Sequence, residues 1–304
     1  MMFSKFILRP CKICLMLSLF LLAGCIAENL IDCVRGISLK VSLRNDVPGG
    51  SEAVKDITLY VFDDDNMLLD ILPVTPSEPV LLYYPGVTRL RCVSWCNTKE
   101  GGLIMNPMQK GDAFAKGMVS LQQVPDTRAG EVPLYLSPSD LFYGESEFEN
   151  NTTNNRPVEQ EMSVSRMVSS MNITVRGLRL LAETSEGDFR LVVRETTSRV
   201  DFLGQFGGNP AAYSVEGTFK AGGKKDEYVV PEFHLFPTVN GAGLTVDIYH
   251  NDKLIRSVSK DNIGRPIVPQ TGKTLHLLIN FEASLDVEIA MTGWGEEYIW
   301  KGYN

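Results

Sequence analysis

Basic charge is the first shortage in this 304-residue chain: 29 Lys and Arg stand against 37 Asp and Glu. A surface with that balance repels phosphate, which excludes nucleic acid and anionic headgroups as principal partners. Histidine is scarcer still. His234, His250 and His276 are not spaced as metal ligands. His250 and His276 fall at polar-face positions of strands, where surface histidines are expected. The GxSxG, P-loop, HExxH and GxGxxG patterns are all missing, which removes common nucleophile, phosphate and zinc machineries. Glu296 and Glu297, beside Trp294 and Trp300, imitate a sugar-cleaving pair. Adjacent carboxylates on a strand point to opposite faces, however, and do not flank one bond. No catalytic residue, metal site or cofactor is expected, and the chain reads as a non-enzyme.

Long apolar runs are absent too, with one short exception. Lys5, Arg9 and Lys12 precede a hydrocarbon stretch from Ile13 to Leu22, and no acid appears before Glu28. About ten apolar residues fall short of the roughly twenty that span a bilayer. A basic start, a short apolar run and small residues at its end form the layout of an export signal. Leu22-Ala23-Gly24-Cys25 has the form of a bacterial lipobox, in which the cysteine sulfur takes a diacylglyceryl group. Residues 1–24 are therefore read as signal peptide, and Cys25 as the lipidated mature N-terminus. Each buried methylene contributes about 0.8 kcal/mol, so two or more acyl chains anchor stably where one does not. Removing the signal's three bases from the 29 leaves 26 against 37 acids, a mature balance of −11.

Of six cysteines, three remain once the signal is removed and Cys25 is used: Cys33, Cys92 and Cys96. On one strand Cys92 and Cys96 would stand about 13 Å apart, at a rise of about 3.3 Å per residue. That is too far for a bridge, which needs Cα atoms within about 7 Å. Cys33 with Cys92 or with Cys96 is the disulfide that stays open, beside three free buried thiols.

Strand signals are dense. Ile37, Leu39, Val41 and Leu43 alternate with polar residues in "ISLKVSL", the period of a half-buried strand. "ITLYVFD" (57–63) is more continuously apolar, and "DDDN" turns it into "MLLDILPV" (67–74). "VTRLRCVSW" (87–95) continues the sheet. Residues 97–130 show no sustained periodicity and read as loops with at most a short helix. After an Asn-rich break at 150–160, Met171, Ile173 and Val175 alternate in "MNITVRG". Asn251-Asp252 marks a tight hairpin. Leu275, Leu277, Ile279 and Phe281, then Leu285, Val287, Ile289 and Met291, close the chain in two alternating runs. Many short strands between Gly, Pro and Asn turns indicate sandwiches rather than a parallel α/β sheet. The expected organisation is all-β: a signal peptide (1–24), a lipidated segment (25–36), and two tandem β-sandwiches over 37–158 and 159–304.

The order of features resembles a known family. Asp32-Cys33 follows the lipobox closely. "LYVFDDDNMLLD" (59–70), "YYPGVTRLRCVSWCN" (83–97), "DLFYGE" (140–145), "RMVSSMNITVRGL" (166–178) and a strand ending in Gly293-Trp294 come after it. The chain resembles the FimB-type fimbrillin-associated anchor lipoproteins of Bacteroidota. That resemblance implies transthyretin-like Greek-key sandwiches and a place at the base of a type V fimbria. There the lipid on Cys25 would hold the fimbria to the outer membrane, and a stalk subunit would join by β-strand addition. Two other readings stay open: a polymerising stalk or tip pilin, and a surface lipoprotein that binds glycan or another ligand. A pilin would be expected to lose its N-terminal strand to a protease cutting after an arginine such as Arg35.

Overall fold

The computed structural model describes residues 35–44, 53–76, 78–125, 132–150, 156–184, 186–220, 226–282 and 284–300. The signal segment, Cys25 and Cys33 lie outside the described residues.

The chain is nearly all β. In order the strands are β1 Ile37–Leu43, β2 Ile57–Phe62, β3 Leu68–Val74, β4 Pro79–Leu82, β5 Arg89–Cys96, β6 Leu103–Met105, β7 Met118–Leu121, β8 Gln123–Val124, β9 Leu134–Tyr135 and β10 Phe142–Glu149. They continue as β11 Val158–Arg166, β12 Ser169–Arg176, β13 Phe189–Thr196, β14 Arg199–Asp201, β15 Phe206–Gly207, β16 Ala211–Val215, β17 Thr218–Phe219, β18 Glu227–Leu235, β19 Thr245–His250, β20 Lys253–Val258, β21 Lys273–Asn280 and β22 Asp286–Gly293. Among the described residues helix is confined to the single turn Leu178–Leu181, the 3-10 turns Phe114–Lys116 and Val239–Gly241, and 3-10 conformation at Ala53.

Seven strands form the first sheet, in the order β3-β2-β5-β10-β11-β1-β4. It encloses one apolar cluster that includes Ile37, Leu39, Leu59, Cys92, Phe142 and Met162. β2 is buried on both faces, as its apolar run requires: Leu59 faces that cluster while Tyr60 and Phe62 face a second one. The acidic hairpin between β2 and β3 is fixed by its own carboxylates. Asp63 Oδ1 accepts from the Asp65 and Met67 amides at 3.0 and 2.8 Å. Asp64 takes the Thr88 and Arg89 amides and the Thr88 hydroxyl, which pins the turn to the start of β5.

A five-stranded sheet, β17-β18-β12-β21-β22, and a six-stranded sheet, β20-β19-β13-β16-β9-β8, make up most of the rest. Met171, Ile173 and Val175 from one meet Leu191, Val193, Val246 and Ile248 from the other in the second cluster. The alternation read in β12 and β21 is what fills this core. The Asn251-Asp252 hairpin forms as expected, with φ of +47° and +62° at the two turn residues, the left-handed pair a primed turn demands.

Two features depart from the sequence reading. The divide expected at 158/159 falls at the start of β11, which pairs with β1 in parallel and with β10 antiparallel. The first sheet therefore runs on to Arg166, and the Asn-rich break joins two strands of one sheet. The stretch 97–130, read as loops, holds β6, β7 and β8. β6 and β7 build a four-stranded sheet with β14 and β15, and β8 pairs with β9. Strands of two to four residues are too short to show a period, and β14, the partner that joins β7 to the rest of its sheet, lies about eighty residues away.

Candidate functional site

Where the chain enters the first sheet, Arg35 is exposed and Gly36 is buried. Gly36 holds φ at +115°, and a Cβ there would lie 2.2 Å from the Leu82 carbonyl oxygen. Only glycine fits that approach. β1 then lies between two neighbours, parallel to β11 from Ile37↔Val158 to Leu43↔Val164 and antiparallel to β4. Two further bonds bracket the parallel register: the Val158 amide donates to Gly36 O at 2.9 Å, and the Arg44 amide to Val164 O at 3.2 Å. Ile37, Leu39 and Val41 are at most 1% exposed, and burial of each stabilises by about 1.5–3 kcal/mol. The slot that an incoming strand would need on this side of β11 is filled by the chain's own N-terminal strand.

At the opposite end of the same sheet, several stretches that carried the family resemblance converge. Arg166, the last residue of β11, reaches Asp140 with Nε–Oδ1 at 2.6 Å and Nη2–Oδ2 at 2.8 Å. Its guanidinium carbon lies 4.0 Å from the Trp294 ring centre and 4.9 Å from that of Phe142. Asn97, directly after β5 with φ of +62°, donates from Nδ2 to Ala53 O and Asp140 O, both at 2.8 Å, and accepts the Lys55 amide. The polar residue after "SWC" is therefore a loop lock rather than a ligand. Trp95 points the other way and is fully buried, 4.7 Å from the Tyr143 ring and 6.0 Å from Phe202. Phe202 also meets Tyr60, Phe62 and Phe114, and it is this aromatic group that seats the four-stranded sheet on the first.

Cys92 and Cys96 are both fully buried on the face of β5 that lines the first core, and neither is bridged to another described residue. Burial pushes each thiol up to about 12, so neither is a nucleophile at neutral pH. His276 differs from the surface position expected of it. It is 3% exposed, with Nδ1 3.0 Å from Asn172 Oδ1 and Nε2 2.8 Å from Thr292 Oγ1. The segment after β22 folds back over this face: the Gly295 amide donates to Thr274 Oγ1, and the Tyr298 ring packs 5.5 Å from His276. Desolvation lowers the histidine below its ordinary value. His234 packs on Trp294 at 4.9 Å, and His250 stacks on Phe189 at 4.7 Å, each half-buried. Glu296 and Glu297 lie beyond β22 rather than on a strand, and Glu296 caps the turn by accepting the Gly293 amide.

Among the described residues no cluster of three or more His, Cys, Asp or Glu is placed to hold a metal, and no helix is long and apolar enough to cross a membrane. Strand edges are the remaining candidates for contact. Among the described residues β22 pairs only with β21, β20 only with β19, and β3 only with β2. An edge of this kind can offer backbone N–H and C=O groups to a strand from another chain. On β22, however, Asn262 already takes both groups of Val287 and Glu296 those of Gly293, and on β3 Asp112 and Gly111 take those of Leu68.

Residues 30–300 match the family described as "Fimbrillin-A associated anchor proteins Mfa1 and Mfa2". The major fimbrium anchoring subunit FimB of Porphyromonas gingivalis is 25% identical over 297 residues, covering 89% of this chain and 90% of FimB. Among solved structures, the fimbrial anchor protein Mfa2 from Porphyromonas gingivalis superposes with a TM-score of 0.57 at 15% identity, covering 86% of this chain and 98% of that one. A Bacteroides thetaiotaomicron structure described as a candidate polysaccharide-binding protein gives 0.61 at 12% identity, covering 86% and 97%. At such identities the two structures show a shared fold.

Proposed function

Because this chain belongs to the fimbrillin-A associated anchor protein family, we propose that it is a lipid-anchored outer-membrane subunit at the base of a fimbria. In this reading it is no enzyme: Cys25 carries the lipid, and the body above it holds the first stalk subunit and ends growth at the membrane side. The observation that carries the reading is the position of β1. A subunit retained by an N-terminal lipid must keep that end of the chain joined to its body, and β1 is buried and paired on both sides.

The stalk subunit docks by adding a strand to an exposed edge, and β22 offers one between Val287 and Gly293, whose own outward groups are held by Asn262 and Glu296. The two-sandwich organisation belongs to the same proposal, with a first unit on the seven-stranded sheet and a second on the five- and six-stranded pair. A polymerising pilin would instead lose β1 and open the slot beside β11. For a glycan-binding surface two of the three tryptophans are poorly placed, since Trp95 is core and Trp294 covers Arg166; Trp300 packs on Tyr298.

The test is cellular. Cells carrying Cys25→Ala should shed fimbriae into the medium, and detergent extracts of unaltered cells should yield the chain bound to a different, more abundant subunit. Fimbriae that stay cell-bound in the variant would overturn the anchoring role.

A further inference from the structure

The first sheet has an entrance end and an exit end, and the chain uses them in a particular way. The N-terminus enters at Ile37, opposite Val158 and Leu82. Every covalent link from this sheet to the rest of the molecule leaves from the other end. β5 ends there at Cys96, β10 begins there at Phe142, and β11 ends there at Arg166; Phe142 is paired with both Cys96 and Arg166. The Asp140–Arg166–Trp294 contacts lie at that same end.

We propose that β1 and β11 form a load-bearing shear clamp, and that withstanding tension along the strands is a function of this sheet. The inference rests on the anchoring role proposed above, in which a lipid holds residue 25 while the fimbria pulls on the second half. Tension then draws β1 toward its N-terminal end and β11 toward its C-terminal end. Because the two strands are parallel, those pulls oppose each other along the strand axis. The whole register from Ile37↔Val158 to Leu43↔Val164 is loaded at once, and no end pair can open before the others.

Sliding carries a second penalty. A one-residue slip would turn Ile37, Leu39 and Val41 out of the core. The bonds Val158 N–Gly36 O and Arg44 N–Val164 O close both ends of the register. The second half repeats the device: its first strand, β12, runs parallel to β21 over Ser170↔Thr274 to Arg176↔Asn280.

Single-molecule pulling on the full chain tests the clamp by geometry alone, without weakening the fold. Azide-bearing amino acids replace two exposed residues as handles. Handles at Arg35 and Leu180 load the register in shear. Handles at Arg35 and Arg156 pull the same parallel strands apart from one end. The clamp requires a rupture force at least about twofold higher in the first geometry at equal loading rate, because hydrogen bonds resist together rather than in turn. Equal forces, or a lower force in the first geometry, would overturn it. That result would leave the lipid reading untouched, since acylation of Cys25 is read separately by mass spectrometry of the mature N-terminus.

Discussion

Arg166 and Asp140 are joined by two hydrogen bonds from one guanidinium to the two oxygens of one carboxylate, at 2.6 and 2.8 Å. The arginine side chain is only 4% exposed, so the fork holds where water screens it little. It fastens the end of the first sheet to the loop before β10, and Trp294 covers it from the second half.

Asp140→Asn should therefore be costly. It keeps the shape but removes the charge and turns one acceptor into a donor facing the guanidinium. A loss of about 1.5–3 kcal/mol is expected, the range for hydrogen bonds to charged groups. A lower urea midpoint with an unchanged slope would show it. An unchanged midpoint would mean the fork is not structural.

Gly36→Ala tests the seating of the N-terminal strand. The added methyl meets the Leu82 carbonyl and the residue is held at φ of +115°, a conformation that costs a side-chain-bearing residue about 1–3 kcal/mol. Trypsin should cut after Arg35 or Lys40 faster in the variant. Equal rates would show that β1 tolerates the change.

Much of this was legible in the sequence, for physical reasons. β1, β12 and β21 each put apolar residues on one face at a period of two, and burial enforces that period. Asn251-Asp252 was legible because few residue pairs accept two positive φ values. The role of Asn97 was not, because its partners Ala53 and Asp140 are more than forty residues away. His276 was misread for the same reason. Its neighbours on β21 alternate correctly, but the segment that covers its face comes from beyond β22.

Cys92 and Cys96 should resist alkylation in the folded chain, since both are fully buried and their thiols are pushed up to about 12. Peptide mapping without reductant also decides whether Cys33 is bridged to Cys92 or Cys96, the pairing that the sequence leaves open. Alkylation of all three thiols after denaturation alone would remove the bridge.

His276 gives stability a pH dependence. Its folded-state value lies below the ordinary 6.5, so the unfolded chain binds a proton that the folded chain refuses. Stability should therefore fall as pH drops below about 6.5, until the folded form also protonates. His276→Gln, which keeps a donor and an acceptor for Asn172 and Thr292, should flatten that slope in urea titrations between about pH 5 and 7. Identical slopes would exclude His276 as the source.

The N-terminus of the protein taken from fimbriated cells tests the central claim most directly. Mass spectrometry should find a chain beginning at acylated Cys25, in the membrane fraction, with Arg35 and β1 still attached to the body. A dominant species beginning at Gly36, or after any later arginine, would mean that the lipid had been cut away and that the chain polymerises rather than anchors.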